Sequence, residues 1–491
     1  MSIVLGVLKT IFVGALLLLA AVFLVRMVQS MRGPDLQPWH LVVPPEPTAS
    51  EIDAMDWPTW LKAEDAAFKV VQSEVVAKLP ADQRIAQNRY WAESPMNSAH
   101  LRTDWNRSFT FRPEGEPAGA VVLLHGLTDG PYSLRHVAKL YEARGWAVVA
   151  IRNPGHGTVP AGLTKAGADQ WQAATRLAVR EATRLAPGKP LHIVGYSNGA
   201  ALAMMYALDA TENPKLAAPQ KVVLISPMIG LTRFARFAGL AAMPSIFPAF
   251  VKAAWLGIEP EYNPFKYNSF PVRAGAESHR MTVILGEKIE AARASGRMGR
   301  LPPILTFQSV VDSTVSAPAV VEGLYSHLPA NGSELVLFDI NRAAYVGPMV
   351  RHSAQTAIDR LRPAGPHRYT LTLVMNAAPG DPQTVARSYA PDATTPQDYP
   401  LGIAYRRDFY SLGHVALPFP LSDGLYGADP SPDDRQGVAL GALAARGENG
   451  VLGIPPSALA RVSSNPFMPW MLGRMDPAAP PAQTPEQAAA Q

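Results

Sequence analysis

Ser197 stands in Gly195-Tyr196-Ser197-Asn198-Gly199, and a serine in a Gly-x-Ser-x-Gly turn is a candidate nucleophile. Leu191 to Val194 before it reads as a short buried strand, and Ala200 to Leu208 after it is apolar and helix-forming. A strand that turns sharply into a helix strains the serine backbone and presents its hydroxyl. That hydroxyl is a weak nucleophile at neutral pH. It needs a base to take its proton and a carboxylate to orient that base. On such an elbow the acid follows the serine in sequence and the histidine follows the acid. Asp312, in Ser309-Val310-Val311-Asp312-Ser313-Thr314-Val315, comes just after an apolar strand and is the candidate acid. Asp339 also ends a strand and is the alternative, and a turn-capping role is the non-catalytic reading of Asp312.

Three histidines lie downstream. His352 falls in a polar, helical stretch where a solvated side chain is the usual outcome, and His367 precedes a strand, at its amino end. His414, in Ser411-Leu412-Gly413-His414-Val415-Ala416, lies on a loop after that strand and is the candidate base, since the base must reach the carboxyl edge of the sheet. The oxyanion needs two backbone donors. One is the N–H of the residue after the nucleophile, Asn198, which opens a helix. The other comes from the loop after an early strand, where Leu124-His125-Gly126-Leu127-Thr128 offers Leu127. His125 is read as holding that loop, and His156, in Asn153-Pro154-Gly155-His156-Gly157, as structural or pocket-lining.

These residues need a scaffold with one strand edge in common. Ala120 to Leu124, Trp146 to Ile151, Ile193 to Gly195, Val222 to Ser226, Ile304 to Gln308 and Glu334 to Asp339 are apolar runs of strand length. Helical patterns at Leu134 to Arg144 and Asp169 to Leu185 alternate with them, and Ile52 to Lys78 also reads as helix. The alternation predicts an α/β fold with a mainly parallel sheet and helices on both faces. A further alternating run, Arg368 to Met375, predicts a late strand. Between Ile229 and Leu301 the rhythm gives way to Phe234, Phe237, Met243, Phe247, Phe250, Trp255, Tyr262, Phe265, Tyr267 and Phe270. This stretch is expected to be a helical cap insertion over the site, because such sheets bind ligands beyond the carboxyl ends of their strands.

From Thr10 to Val25 no residue is charged, and from Ile3 to Val25 only Lys9 interrupts the apolar run. A helix needs about 20 apolar residues to cross the hydrocarbon core, so an N-terminal transmembrane helix is expected. A cleaved signal peptide is the alternative, with only Val28-Gln29-Ser30 resembling a cleavage site. The expected location is the membrane through a single-pass N-terminal anchor, with the catalytic domain extracytoplasmic. Lys9 on one flank and Arg26 and Arg32 on the other do not themselves select an orientation. The predicted organisation is an anchor over 1–30, a tether and N-terminal extension over 31–115, and a first core half over 116–229. The cap follows over 230–302, the second core half with an insertion over 303–425, a C-terminal segment over 426–475 and a disordered tail over 476–491.

Together, His125-Gly126-Leu127-Thr128, Pro154-Gly155-His156-Gly157, Gly195-Tyr196-Ser197-Asn198-Gly199, Asp312 with Val315, and His414 resemble the α/β-hydrolase superfamily. The resemblance is to its monoacylglycerol lipase and carboxylesterase branch in particular. It covers about Ala118 to Phe419 and implies the α/β-hydrolase fold. It also implies that Ser197 is the nucleophile, Asp312 the acid, His414 the base, and Leu127 and Asn198 the oxyanion donors. The chain departs from the family pattern in the 102 positions separating Asp312 from His414, where an insertion must sit, and in the whole N-terminal segment.

The expected function is a membrane-anchored serine hydrolase acting on carboxylic esters, such as lipid or monoacylglycerol-like esters, through an acyl-enzyme. The alternatives are a peptidase or thioesterase on the same fold, or a partner-binding protein that keeps the fold without the activity. The sequence has no cysteine, which excludes a disulfide scaffold and a thiol nucleophile. Its 11 histidines are scattered with no His-Glu-x-x-His spacing, so no metal and no cofactor are expected. A net charge of +4 without a basic block points away from nucleic acid.

Overall fold

The computed structural model of the chain describes residues 2–230, 245, 248–343, 350–361, 367–406, 409–434, 436, 438–442 and 464–478. Its centre is a ten-stranded sheet ordered β1-β3-β2-β4-β5-β8-β9-β10-β11-β12. The strands are β1 (Phe109–Phe111), β2 (Ala120–Leu124), β3 (Ala147–Ile151), β4 (Leu191–Tyr196), β5 (Lys221–Ile225), β8 (Ile304–Ser309), β9 (Glu334–Phe338), β10 (Thr370–Asn376), β11 (Gln383–Tyr389) and β12 (Gln397–Ala404). β6 (Trp255–Gly257) and β7 (Phe270–Pro271) pair separately. From β3 through β10 every pairing is parallel, and the outer strands β1, β11 and β12 are antiparallel. β2 and β3 are buried along their whole length, as a parallel sheet covered on both faces requires.

Alternation along each strand divides the core. Val122, Leu124, Val149 and Ile151 pack on one face with Trp171, Leu177 and Met204, from the helices Ala168–Leu185 and Asn198–Glu212. Val121, Leu123, Val148 and Ala150 point the other way, toward Val137 and Tyr141 of the helix Arg135–Ala143 and Met471 of the helix Met468–Met475. This architecture puts the carboxyl ends of β2, β4 and β8 on one edge of the sheet, with β5 between β4 and β8, where the site residues leave the sheet.

Three elements differ from the sequence reading. Ile52 to Lys78 is not one helix but Ala49–Ala54 followed by Trp57–Val71 and a π-helical turn. The break falls at Asp56, whose Oδ1 accepts the N–H of Thr59, with Pro58 fixed in the first turn where no N–H is needed. The insertion between Asp312 and His414 adds β11 and β12 to the sheet edge beyond the expected late strand, β10, and residues 405–406 and 409–414 lead back to the site. Asn341, fully buried, holds that return by donating its side-chain amide to the carbonyls of Arg406 and Phe409. The tail expected to be disordered from 476 begins with an ordered residue: Asp476 pairs with Arg144 at 2.8 Å. The rest of it, from 479, lies outside the described residues.

The expected transmembrane helix is not supported. Ser2–Arg32 forms a single α-helix, yet among the described residues no helix is long and apolar enough to cross a membrane. Several apolar side chains of that helix lie outside the described set. Phe234, Phe237, Met243 and Phe247 of the expected cap also lie outside it.

A buried ion cluster ties the segment after His414 to the first half of the sheet. Arg135 is fully buried and donates to Asp423 Oδ2 at 2.5 Å and to Asp434. Asp423 also accepts from Tyr132 Oη at 2.9 Å and from the N–H groups of Leu425 and Tyr426. His136, Asp423 and Asp434 bring possible ligand atoms within 4.8 Å of one another, but the Arg135 guanidinium already supplies the positive charge there. Burial alone would raise the Asp423 pKa. Arg135 and His136 outweigh it and hold the carboxyl well below the usual range. The pairing therefore stabilises the fold fully above the ordinary carboxylate value of about 3.9 and is lost as pH falls toward the depressed one. Asp423→Asn is expected to cost about 3–5 kcal/mol near neutrality, because it removes one of the two carboxylates that pair with a buried guanidinium. Urea unfolding at pH 7 and pH 3 checks this: the gap to wild type should narrow at pH 3, and a gap independent of pH would contradict it.

Candidate active site

Ser197 sits at the end of β4 with φ 54° and ψ −112°, a left-handed backbone that a non-glycine residue adopts only under constraint. The constraint is visible. Ser197 N–H donates to Ile225 O on β5 at 2.9 Å, and Ser197 O accepts from Ala200 and Ala201 in the helix it starts. Gly199 must lack a side chain, since a Cβ there would lie 1.9 Å from Leu124 O. The helix consequently starts hard against the end of β2, and the hydroxyl stands at the carboxyl edge of the sheet.

His414 and Asp312 reach that hydroxyl from two other elements. His414 Nε2 lies 3.0 Å from Ser197 Oγ, and His414 Nδ1 lies 2.8 Å from Asp312 Oδ2. The Asp312 carboxylate is fully buried on the loop after β8. Its Oδ1 accepts the N–H groups of Thr314 at 2.8 Å and Val315 at 3.0 Å. Burial would push this carboxyl up, but the adjacent His414 and these hydrogen bonds hold it below its ordinary value, so it is ionised and acceptor-only at neutral pH. It can then take only the Nδ1 proton, which leaves Nε2 to accept from serine.

Leu127 lies on the loop that follows β2. Gly126 beside it is so close to the elbow that a Cβ there would meet the Tyr196 ring at 3.1 Å and Ser197 Cβ at 3.3 Å. Neither Leu127 N–H nor Asn198 N–H forms a hydrogen bond among the described residues. A segment of the 230–302 stretch closes over this loop: Tyr267 N–H donates to Thr128 O at 2.7 Å, and Phe265 stacks on Tyr132 at 4.1 Å. Burial raises the carboxyl of Asp129, two residues beyond Leu127, to about 6.

The other candidates lie elsewhere. His352 is exposed at the start of the helix His352–Arg360, His367 stacks on Tyr369 just before the amino end of β10, and Asp339 pairs with Arg342. His125 and His156 are buried against each other at 5.0 Å, with no hydrogen bond to Ser197. Sequence reasoning missed two supports. Gln308 Nε2 donates to Asp312 Oδ2 at 3.2 Å, and Tyr196 Oη donates to His414 O at 3.3 Å. Tyr196 lay inside the serine motif, where its position was visible but its reach across 218 residues was not.

Residues 115–339 match the family model of serine aminopeptidase, S33. Among solved structures the chain is similar to LipS and LipT, two metagenome-derived lipolytic enzymes, at 20% identity and a TM-score of 0.38, over 52% of this chain and 98% of that one. It is similar to a monoacylglycerol lipase of Paleococcus ferrophilus at 18% identity and TM-score 0.36, over 52% and 97% of the two chains. It is also similar to a soluble variant of monoglyceride lipase from Saccharomyces cerevisiae at 15% identity and TM-score 0.35, over 47% and 82%. No curated protein matches the chain.

Proposed function

We propose that this chain, with its α/β-hydrolase fold, is a serine hydrolase that cleaves carboxylic esters through an acyl-enzyme. The observation that carries the proposal is the relay of His414 Nε2 at 3.0 Å from Ser197 Oγ and His414 Nδ1 at 2.8 Å from Asp312. In this reading His414 takes the serine proton as Oγ attacks the ester carbonyl, and Asp312 stabilises the imidazolium that forms. The carbonyl oxygen becomes an oxyanion held by Leu127 N–H and Asn198 N–H. His414 then gives its proton to the leaving alcohol. Water, activated by the same ring, releases the acid and restores Ser197.

Lipid or monoacylglycerol-like esters are the proposed substrates, taken up beneath a cap formed by 230–302. Supporting this is the apolar cluster of Tyr132, Phe265, Phe419 and Tyr426, whose Tyr132 follows the 125–130 loop and whose Phe265 comes from the expected cap. Membrane attachment through Ser2–Arg32 belongs to the same proposal. Its support is the apolar surface that helix leaves open, with Phe12, Leu17 and Leu24 each more than 60% exposed. Deleting residues 2–32 should release the protein from sedimented membranes, and unchanged sedimentation would count against attachment.

A peptidase is the second reading, favoured by the serine aminopeptidase description of the matching family model. Hydrolysis rates decide between them. Esters of rising acyl length, an acyl thioester and an aminoacyl amide are compared, with Ser197→Ala as the blank. Esters should be cleaved fastest, with rates rising beyond the acetyl ester. Preferential cleavage of the amide would favour the peptidase, and rates no higher than the blank on every substrate would defeat the hydrolase reading.

A further inference from the structure

The N-terminal extension lies outside residues 115–339, which the family model matches, yet two of its carboxylates, Glu46 and Glu64, pair with a buried arginine inside that span. Arg152, just past β3, is fully buried. Its Nε donates to Glu64 Oε1 at 2.9 Å, and its Nη1 and Nη2 donate to the two oxygens of Glu46 at 2.6 and 3.0 Å. Nη1 also donates to His156 O at 2.9 Å. Glu46 Oε1 accepts the N–H of Gly155 at 2.9 Å, so one nearly buried carboxylate fixes both ends of the 152–155 turn. Burial pulls the guanidinium's pKa down, and Glu46 and Glu64 more than offset that.

The turn is joined to the oxyanion loop by a single ring. Asn153 N–H donates to His125 Nε2 at 3.0 Å. A nitrogen that accepts from a peptide N–H carries no proton, so the His125 proton is on Nδ1 and donates to Gly126 O at 2.8 Å. Burial lowers the ring's pKa to about 4, which keeps it in this neutral form. In a trans peptide the C=O and N–H point in opposite directions. Pinning Gly126 O therefore pins Leu127 N–H.

We propose that Glu46 is a positioning residue for the oxyanion donor: through Arg152, the 152–155 turn and His125 it fixes the Gly126–Leu127 peptide. The extension thus belongs to the catalytic apparatus. This inference rests on the reading of Ser197 as nucleophile and Leu127 as donor.

The test uses the full chain, with active sites titrated by a fluorophosphonate so that misfolded protein is not counted. Glu46→Gln keeps the size but turns an amide N–H toward the guanidinium. Glu46→Asp keeps the charge but is too short to span Arg152 and Gly155 together. Turnover of an ester per titrated site should fall about 10- to 100-fold in Glu46→Gln and less in Glu46→Asp, with KM nearly unchanged. Affinity for a trifluoromethyl ketone, whose hemiketal oxyanion occupies the same hole, should fall in parallel. Wild-type turnover and ketone affinity in either titrated variant would overturn the proposal. So would loss of titratable protein from both variants, which would leave Glu46 a purely structural role. A wild type without a titratable serine would instead defeat the reading of Ser197, a result distinct from active wild type matched by its variants.

Discussion

Ser197→Ala is expected to lower turnover by about 10⁶-fold while leaving KM for the ester within a few-fold of wild type. In the proposed mechanism the hydroxyl is the group that forms and breaks a bond to substrate, so no neighbour substitutes for it. His125 and His156 are turned into the loops they hold, with Nδ1 of each facing a backbone carbonyl. Some catalysis should persist over the uncatalysed reaction, roughly 10³- to 10⁴-fold, from the oxyanion donors and substrate binding. The fold should tolerate the change, because among the described residues Ser197 Oγ bonds only to His414. Removing the hydroxyl also relieves nothing of the strained φ of 54°, which the backbone bonds to Ile225 and Met228 impose. Steady-state kinetics beside thermal unfolding separates the two effects: a large fall in kcat with an unchanged midpoint is the expected pair.

Asp312→Asn should cost about 10⁴-fold in kcat, by a different route. The carboxylate accepts four hydrogen bonds, from His414, Gln308, Thr314 and Val315. An asparagine oxygen can still serve Thr314 and Val315, which would turn its amide N–H₂ toward His414 Nδ1. Nδ1 would then have to accept. The ring proton would move to Nε2, where it could no longer accept from Ser197. Turnover is lost although every atom stays near its place. Active-site titration should show slow but complete labelling, and wild-type turnover in this variant would contradict the assigned role of Asp312.

The candidate site was legible in the sequence where local geometry carries it. Gly195 and Gly199 frame Ser197 because the elbow leaves no room for side chains, and unbroken apolar runs such as Ala120–Leu124 announce strands buried on both faces. The place of His414 beside Ser197 followed from seeking a base at the carboxyl edge, even across two unforeseen strands, β11 and β12. β11 escaped notice because Gln383, Thr384, Arg387 and Ser388 break its apolar pattern, and β12 because an edge strand has one solvated face. β12 alternates exposed and half-buried residues through Pro400 and Gly402, a pattern shared with loops. The supports of the site were hidden for another reason. Gln308 on Asp312, Asn341 on the 406–409 return and Glu46 on Arg152 are polar contacts made by the fold. Periodicity reports which face of an element is buried, and says nothing of which buried amide meets which carboxylate.

Covalent capture of the nucleophile tests the central claim most directly. Wild-type protein treated with a fluorophosphonate and mapped by peptide mass spectrometry should carry one adduct, on Ser197, formed far more slowly in His414→Ala. An unlabelled protein, or an adduct on any other residue with Ser197 unmodified, would contradict it.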